Sequence, residues 1–376
     1  MTRPLDIVVL GLSLSSSWGN GHATTWRALL KGLAEAGHKV TFLERDVPWY
    51  AAHRDLAKPE FCDLAFYSRV DAIASVHRRR IADADLVIVG SYVPDGIEVL
   101  DSVFALRDGP VAFYDIDTPV TLAALRQGRC EFLAPRQIPD LSLYFSFSGG
   151  EALRRLDQDF GARRPVALYC AVDETRYRPL PGTAMRWDLG YLGTYSPDRQ
   201  PALERLLLEP ARALPDRRFV VAGPQYPDDI DWPANVERLD HVGPQDHPAF
   251  YAAQRHTLNI TRADMIALGH SPSVRLFEAA ACGTPIISDR WEGLGELLPE
   301  GKVLLIADDS AAVIRALEHE PDGAAQARAA EARRIVLRSH TGRARADELV
   351  AAFAALGHAE GRPDASTSEL LTATSA

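Results

Sequence analysis

The sequence predicts an α/β protein made of two doubly wound domains, and three observations lead there. Short β-branched apolar runs alternate with amphipathic helical segments, which is the pattern of parallel βαβ units. The chain has 376 residues, and at roughly 150 residues per domain that is room for two domains and a tail. The alternation breaks once, between Asp173 and Arg186, where Pro179, Pro181 and Gly182 punctuate a polar stretch, and then it resumes.

In the first half, strands are expected at Asp6 to Leu12, Lys39 to Leu43, Leu86 to Val89, Val111 to Tyr114, Leu141 to Phe147 and Val166 to Tyr169. Each is short, apolar and bounded by turn residues, as a buried parallel strand should be. Ala23 to Ala36 has helical periodicity and ends at Gly37, a helix stop. Residues 173–186 have too few apolar side chains for a core and suit a stiff linker. The strand pattern restarts at Leu189 to Leu192, Arg218 to Ala222, Thr257 to Ile260, Pro285 to Ser288 and Val303 to Ile306. Between these runs, helices are expected at Arg199 to Ala213, His247 to Gln254, Ser273 to Ala281 and Ser310 to Leu317. Gly323 to Leu356 is rich in Ala and Arg and helical by propensity, whereas the Ser/Thr-rich end has little to bury and should fray. The expected division is a first domain over 1–172, a linker over 173–186, a second domain over 187–340, a helix over 341–357 and a tail over 358–376. Two such domains place a ligand in the cleft between them, at the carboxyl ends of both sheets.

Composition narrows the function. Apolar residues make up 47% and charged residues 24%, values of an ordinary globular chain, which excludes collagen-like, coiled-coil and wholly disordered classes. The formal charge of −10, from 41 basic and 51 acidic residues, argues against a partner held by its phosphate backbone, so no nucleic acid is expected. The basic run His77-Arg78-Arg79-Arg80 reads as a solvated helix face. Ile7 to Leu12 is too short to span a bilayer and no transmembrane segment is expected. Cys62, Cys130, Cys170 and Cys282 are scattered without C-x-x-C spacing, which suits reduced thiols in a cytoplasmic protein and small core residues, and no metal site is expected.

Three constellations can carry chemistry. The first, Ser15 to Trp26, follows the first strand and opens a helix; Gly19, Asn20 and Gly21 can bring amides close to a ligand. Thr24 stands where a dinucleotide fingerprint needs its third glycine, and there is no P-loop lysine. His22 in this loop either deprotonates a hydroxyl or merely sits at a helix start. The second is Tyr114-Asp115-Ile116-Asp117-Thr118-Pro119, where Asp117 or Asp115 either orients His22 or belongs to a helix start capped by Thr118. The third runs from Gly269 to Asp289: a loop with His270, a helix capped by Ser271 with Pro272 in its first turn, a stop at Gly283 and a buried strand. Free amides at that helix start and Arg275 suit an anion, and Glu278, five residues beyond Ser273, suits sugar hydroxyls. The same helix could equally be packing, because Leu276, Phe277, Ala280 and Ala281 form an apolar face.

The run Phe277-Glu278-Ala279-Ala280-Ala281-Cys282-Gly283-Thr284-Pro285-Ile286-Ile287 resembles the nucleotide-sugar signature of GT-B glycosyltransferases of the group 1 type, especially the CgeB-like branch. Tyr169 to Asp173 with Tyr177-Arg178-Pro179 is similar to that family's hinge, and Gly190 to Tyr195 and Val220 to Gly223 to the first two strands of its donor domain. The resemblance implies the GT-B fold, two Rossmann-like domains around a cleft, and transfer of a sugar from a nucleotide-diphosphate sugar to a hydroxyl acceptor. It implies no cofactor, and enzymes of this kind typically need no metal. By the same resemblance Glu278 holds the ribose, amides of Ser273 and Val274 meet the diphosphate with Gly193 and Thr194 opposite, and His241-Val242-Gly243 lies near the base. Arg275, with Arg199 as a weaker candidate, would add positive charge, and His270 occupies the position of a family glutamate that contacts the donor sugar. That departure leaves sugar identity and retention or inversion open. It also keeps a non-catalytic nucleotide-sugar-binding protein as an alternative, and a nucleotide-sugar epimerase, which can share this two-domain fold, is another. The acceptor and the oligomeric state are not legible.

Overall fold

The computed structural model describes residues 3–18 and 21–360, the last three as backbone alone. The strands β1 (Asp6–Gly11), β2 (Lys39–Arg45), β3 (Asp63–Tyr67), β4 (Leu86–Gly90), β5 (Val111–Asp115), β6 (Leu143–Ser146) and β7 (Pro165–Ala167) form one parallel sheet in the order β3-β2-β1-β4-β5-β6-β7. A second parallel sheet is formed by β8 (Trp187–Leu192), β9 (Phe219–Ala222), β10 (Val236–Leu239), β11 (Gln254–Asn259), β12 (Ile286–Ser288) and β13 (Leu305–Ile306), in the order β10-β9-β8-β11-β12-β13. Both are doubly wound. The strand order reverses between β1 and β4 in the first sheet and between β8 and β11 in the second, and each reversal opens a crevice at the carboxyl ends of its strands.

Alternation of side chains along each strand explains why both sheets are buried on two faces. Val8, Leu10, Val87, Val89 and Phe113 enter one core cluster, while Ile7, Val9, Leu86, Ile88 and Ala112 enter another on the opposite face. In the second sheet Val220 and Ala222 face one cluster and Leu189, Tyr191, Phe219 and Val221 the other. Burial of each such side chain contributes about 1.5–3 kcal/mol, which is why these short runs hold as strands.

The chain passes between domains twice. Val172 donates its N–H to the His340 carbonyl at 2.9 Å and bridges Thr341. After that crossing the segment expected as one helical region divides into helices Asp322–Ser339 and Gly342–Glu360. The last helix returns to the first domain, where Ala346, Leu349 and Leu356 join the core and the helix lies on Gly21–Glu35. Glycine is required at this contact: a Cβ on Gly32 would stand 2.2 Å from the Gly342 carbonyl oxygen. The first domain is therefore discontinuous, a feature the linear division of the sequence lacked. Of the expected tail, residues beyond 360 lie outside the described residues.

Candidate active site in the interdomain cleft

The first-domain wall grows from the loop after β1. Glu44, at the end of β2, is buried and gathers that loop: its carboxylate accepts from Leu14 N at 2.7 Å, Ser15 N at 2.9 Å, Ser15 Oγ at 2.6 Å and Ser13 Oγ at 3.1 Å. Asp55 holds the next residues, accepting from Ser17 Oγ at 2.8 Å and from Arg27. The loop delivers the chain to helix Gly21–Glu35, on which His22 is the second residue. Gly19 and Asn20 lie outside the described residues. Burial pulls the His22 imidazole down to about 4, so it is neutral near pH 7. Its ring meets the Tyr92 ring edge-on at 5.2 Å, and the Tyr92 hydroxyl donates to Asp117 Oδ2 at 3.2 Å.

Asp115 and Asp117 part company here. Asp115 is fully buried and accepts from Thr121 Oγ1 at 2.7 Å, Tyr144 Oη at 2.9 Å and Asp117 N at 3.2 Å. Burial pushes its carboxyl up to about 7 despite those donors. It braces the turn after β5 from beneath and does not orient His22, as had been expected of one carboxylate of the pair. Asp117 stands at the cleft, but no hydrogen bond or ion pair joins it to the imidazole; its contact is Tyr92. Thr118 is not a cap either: helix Thr118–Arg126 starts on it, and its hydroxyl bonds the Asp115 carbonyl and Ser146 Oγ.

The second-domain wall has two parts, one around Glu278 and one around Arg199. In the first, Glu278 lies buried on helix Val274–Cys282. Its Oε2 accepts from Tyr251 Oη at 3.2 Å and faces His247 Nδ1 at 3.7 Å, while Tyr177 Oη lies 3.2 Å from the same ring nitrogen. Burial works to raise this carboxyl, and donors from His247, Tyr177 and Tyr251 outweigh it and hold it below the usual range. No described residue hydrogen-bonds Oε1. His247 Nε2 lies 3.3 Å from the Val242 carbonyl and so ties the loop His241-Val242-Gly243 to the Glu278 cluster. His241 is exposed and Gly243 buried.

In the other part, Gly193 and Thr194 follow β8, and Arg199 folds back so that Nη2 donates to Thr194 O at 2.6 Å. Gly223, at φ +143°, lets the β9 loop close on this turn, since a Cβ there would be 2.1 Å from Gly193 O. Arg199 Nε is buried without a partner. Burial lowers the Arg199 guanidinium, Tyr191 works the other way, and the charges of Arg275 and Arg262 lower it further. Arg275 differs from its expected role as a direct phosphate ligand. Its Nε donates to Leu192 O at 2.5 Å and Nη1 to Asn259 Oδ1 at 3.1 Å, so it acts as a strut beneath the β8 turn. Helix Val274–Cys282 begins after Ser273, which has extended backbone at the cap position and makes no side-chain cap bond.

The two walls meet at residues 268 to 271. Leu268 sits in the first-domain core. The Ser271 hydroxyl donates to Ser148 Oγ at 2.6 Å, across the cleft, instead of capping the helix, and Pro272 precedes the helix. The His270 carbonyl accepts from Gly149 N at 2.9 Å. The His270 ring, on left-handed backbone at φ 44°, is lodged between Gly150 and Gly293, with Nε2 at 3.3 Å from Glu296 Oε1. Among the described residues no three His, Cys, Asp or Glu side chains gather as a metal cluster, and no helix is long and apolar enough to cross a membrane.

Residues 199–351 match the model of a family described as glycosyl transferase-like. Sucrose-phosphate synthase of Thermosynechococcus elongatus superposes with a TM-score of 0.70 at 13% identity, over 95% of this chain and 100% of that one. Anabaena HepE in complex with UDP-glucose gives 0.65 at 13% identity, over 93% and 100%. A glycosyltransferase involved in avilamycin A biosynthesis gives 0.62 at 20% identity, over 94% and 98%. No curated protein matches in sequence. The fold is GT-B.

Within this GT-B fold, Asp117 on one wall and Arg199 on the other both feel the charge of Arg262; His22 is linked to Asp117 through Tyr92, and Thr194 and Glu278 belong to the second-domain wall. Sequence reasoning missed Tyr92, Arg262, His247 and Tyr251. Tyr92 and Arg262 sit just past β4 and β11, the strands that flank the two crevices, so strand order supplies the signal that a linear reading lacks. His247 opens helix His247–Ala252 and Tyr251 ends up four residues on, one turn later on the same face, a spacing that could have paired them.

Proposed function

We propose that the protein moves a sugar from a nucleotide-diphosphate sugar to an acceptor hydroxyl in the cleft, as a glycosyltransferase of the CgeB-like branch. The observation that carries this is Glu278: an ionised, buried carboxylate with one oxygen engaged by Tyr251 and the other taking no hydrogen bond from a described residue, tied through His247 to the loop at 241–243. A carboxylate oxygen so placed accepts from a vicinal diol, which is what a ribose offers. Arg199 and the amides at Ser273 and Val274 take the diphosphate, and UDP-sugars, which HepE binds, are the first donors to try. In transfer, the acceptor oxygen bonds to the anomeric carbon as the bond to the diphosphate breaks, and the nucleoside diphosphate leaves with that electron pair. The acceptor proton passes to neutral His22 in an inverting reaction or to the leaving phosphate in a retaining one. Negative charge on the leaving group is met by arginines and helix amides, so neither a metal nor another cofactor is invoked. We read His270 as part of the contact between domains, since Gly150 and Gly293 enclose its ring. The work is assigned to the cytoplasm, where nucleotide sugars are made.

Calorimetric and thermal-shift titration with nucleoside diphosphates and their sugars tests this, because a ligand of the folded state raises its stability. His22→Ala should retain donor affinity and lose transfer by an inverting route. Conversion of the donor sugar to its epimer without acceptor would point to the epimerase instead. No binding of any nucleoside diphosphate would refute the proposal.

A further inference from the structure

We propose that Arg262 couples the two halves of the cleft, balancing Asp117 of the first domain when the cleft is empty and turning to the diphosphate when a donor enters. This rests on the donor reading above. Arg262 follows β11 and precedes helix Ala263–Leu268, at the crevice where the second sheet reverses. Three features set it apart. It is exposed, and among the described residues none hydrogen-bonds its guanidinium or pairs with it within 4.0 Å, the Ile266 N–H reaching only its backbone carbonyl. Its backbone is fixed to the Arg199 turn, because Asp198 Oδ2 accepts from Ala263 N at 2.9 Å. The short helix it opens crosses the cleft, packing on helix Thr118–Arg126 and burying Leu268 in the first-domain core.

A long flexible guanidinium is therefore anchored between the Arg199 turn and the helix that begins beside Asp117. Its charge acts in both directions. Asp117 is pushed up by burial and drawn back by Arg262 and the Tyr92 hydroxyl, while on the other wall Arg262 repels Arg199 and helps hold Asp198 ionised. Like charges converging on a partly buried guanidinium are costly until an anion arrives, and a diphosphate carries the charge to relieve both arginines. Once Arg262 turns to it, Asp117 loses its counter-charge and becomes a better proton acceptor, so donor loading prepares the acceptor wall.

The test needs no acceptor. Affinities of UDP, GDP and ADP for the full chain are measured above neutral pH, and the tightest is compared across R262Q, D117N and the double variant, with melting curves to verify folding. R262Q should weaken the diphosphate about tenfold while the nucleoside alone binds as before. D117N should tighten it about threefold, and that gain should shrink toward none in the R262Q background. Unchanged affinity in R262Q overturns the role of Arg262 and leaves the donor reading standing. An equal D117N gain in both backgrounds overturns the coupling, since Asp117 would then repel the diphosphate directly. If the unmodified protein binds none of the three, the donor reading and this inference fall together.

Discussion

Replacing Glu278 by Gln isolates the proposed ribose contact from everything else the second domain does. The side chain keeps its size and still accepts from Tyr251, but the oxygen that has no described partner becomes part of an amide. Hydrogen bonds to a charged acceptor contribute about 1.5–3 kcal/mol and neutral ones about 0.5–1.5, so two ribose hydroxyls lose together about 2–3 kcal/mol. That weakens a nucleoside diphosphate about 30- to 150-fold. The carboxylate is buried and held ionised by His247, Tyr177 and Tyr251, so an effect near the upper end is expected. Calorimetry with the nucleoside diphosphate and with inorganic pyrophosphate makes the prediction specific. The first must weaken and the second must not, because pyrophosphate reaches only the Arg199 side. Unchanged nucleoside diphosphate affinity would refute the ribose role, and an equal loss for pyrophosphate would mean that the substitution distorts the domain instead.

Two further outcomes can be measured without any substrate. Gly150 has φ +52° and a Cβ there would lie 2.4 Å from His270 Nδ1, so Gly150→Ala should destabilise the closed contact by more than about 2 kcal/mol; Gly182→Ala, at φ +83° with open space around it, carries the backbone strain alone and should cost less in a denaturant titration. His22 has its imidazole pulled from the ordinary 6.5 to about 4, so the unfolded chain binds its proton first and stability falls as pH drops from about 6.5 to about 4. The contribution is at most about 3 kcal/mol, and His22→Asn should flatten that limb of the stability profile; an unaltered slope would contradict the burial of the ring.

How much of this was legible depends on what each residue contacts. Continuous apolar runs such as Leu86–Gly90 announced buried strands, but β3 and β10 are edge strands with only one well-buried end each, and β10 has no continuous apolar run. The helix with Glu278 was readable from local order, Gly283 as its stop included. Its start was not, because Ser271 looks like a cap and instead uses its hydroxyl on Ser148, 123 positions away in sequence. The same holds for Asp115 and Asp117, two residues apart and alike in chemistry, of which burial beneath Tyr144 removes one from the cleft. Charge count argued against a phosphate-backbone partner; it could not show that Arg199, Arg262 and Arg275 come close enough to influence one another, since two come from separate loops and one from a helix start around one crevice.

The contact between the two walls is chemically unlike the site it encloses, and that difference has a use. Thr118 Oγ1, Ser146 Oγ, the Ser148 backbone and hydroxyl, and Ser271 Oγ form a chain of neutral hydrogen bonds, and Gly149 adds one backbone bond to His270. Neutral bonds of this kind contribute only about 0.5–1.5 kcal/mol each. A latch made of ion pairs would be rearranged by the diphosphate entering beside it, whereas hydroxyls and amides are little affected by a ligand's charge. Product release from a two-domain cleft requires the walls to part. Under the proposed function, a few neutral bonds around Ser148 and Ser271 can hold the walls together while the arginines grip the donor, and yet yield when the nucleoside diphosphate leaves. On this reasoning the strong electrostatics belong to the ligand and the weak, directional contacts to the closure, which lets one fold bind an anion tightly without locking itself shut.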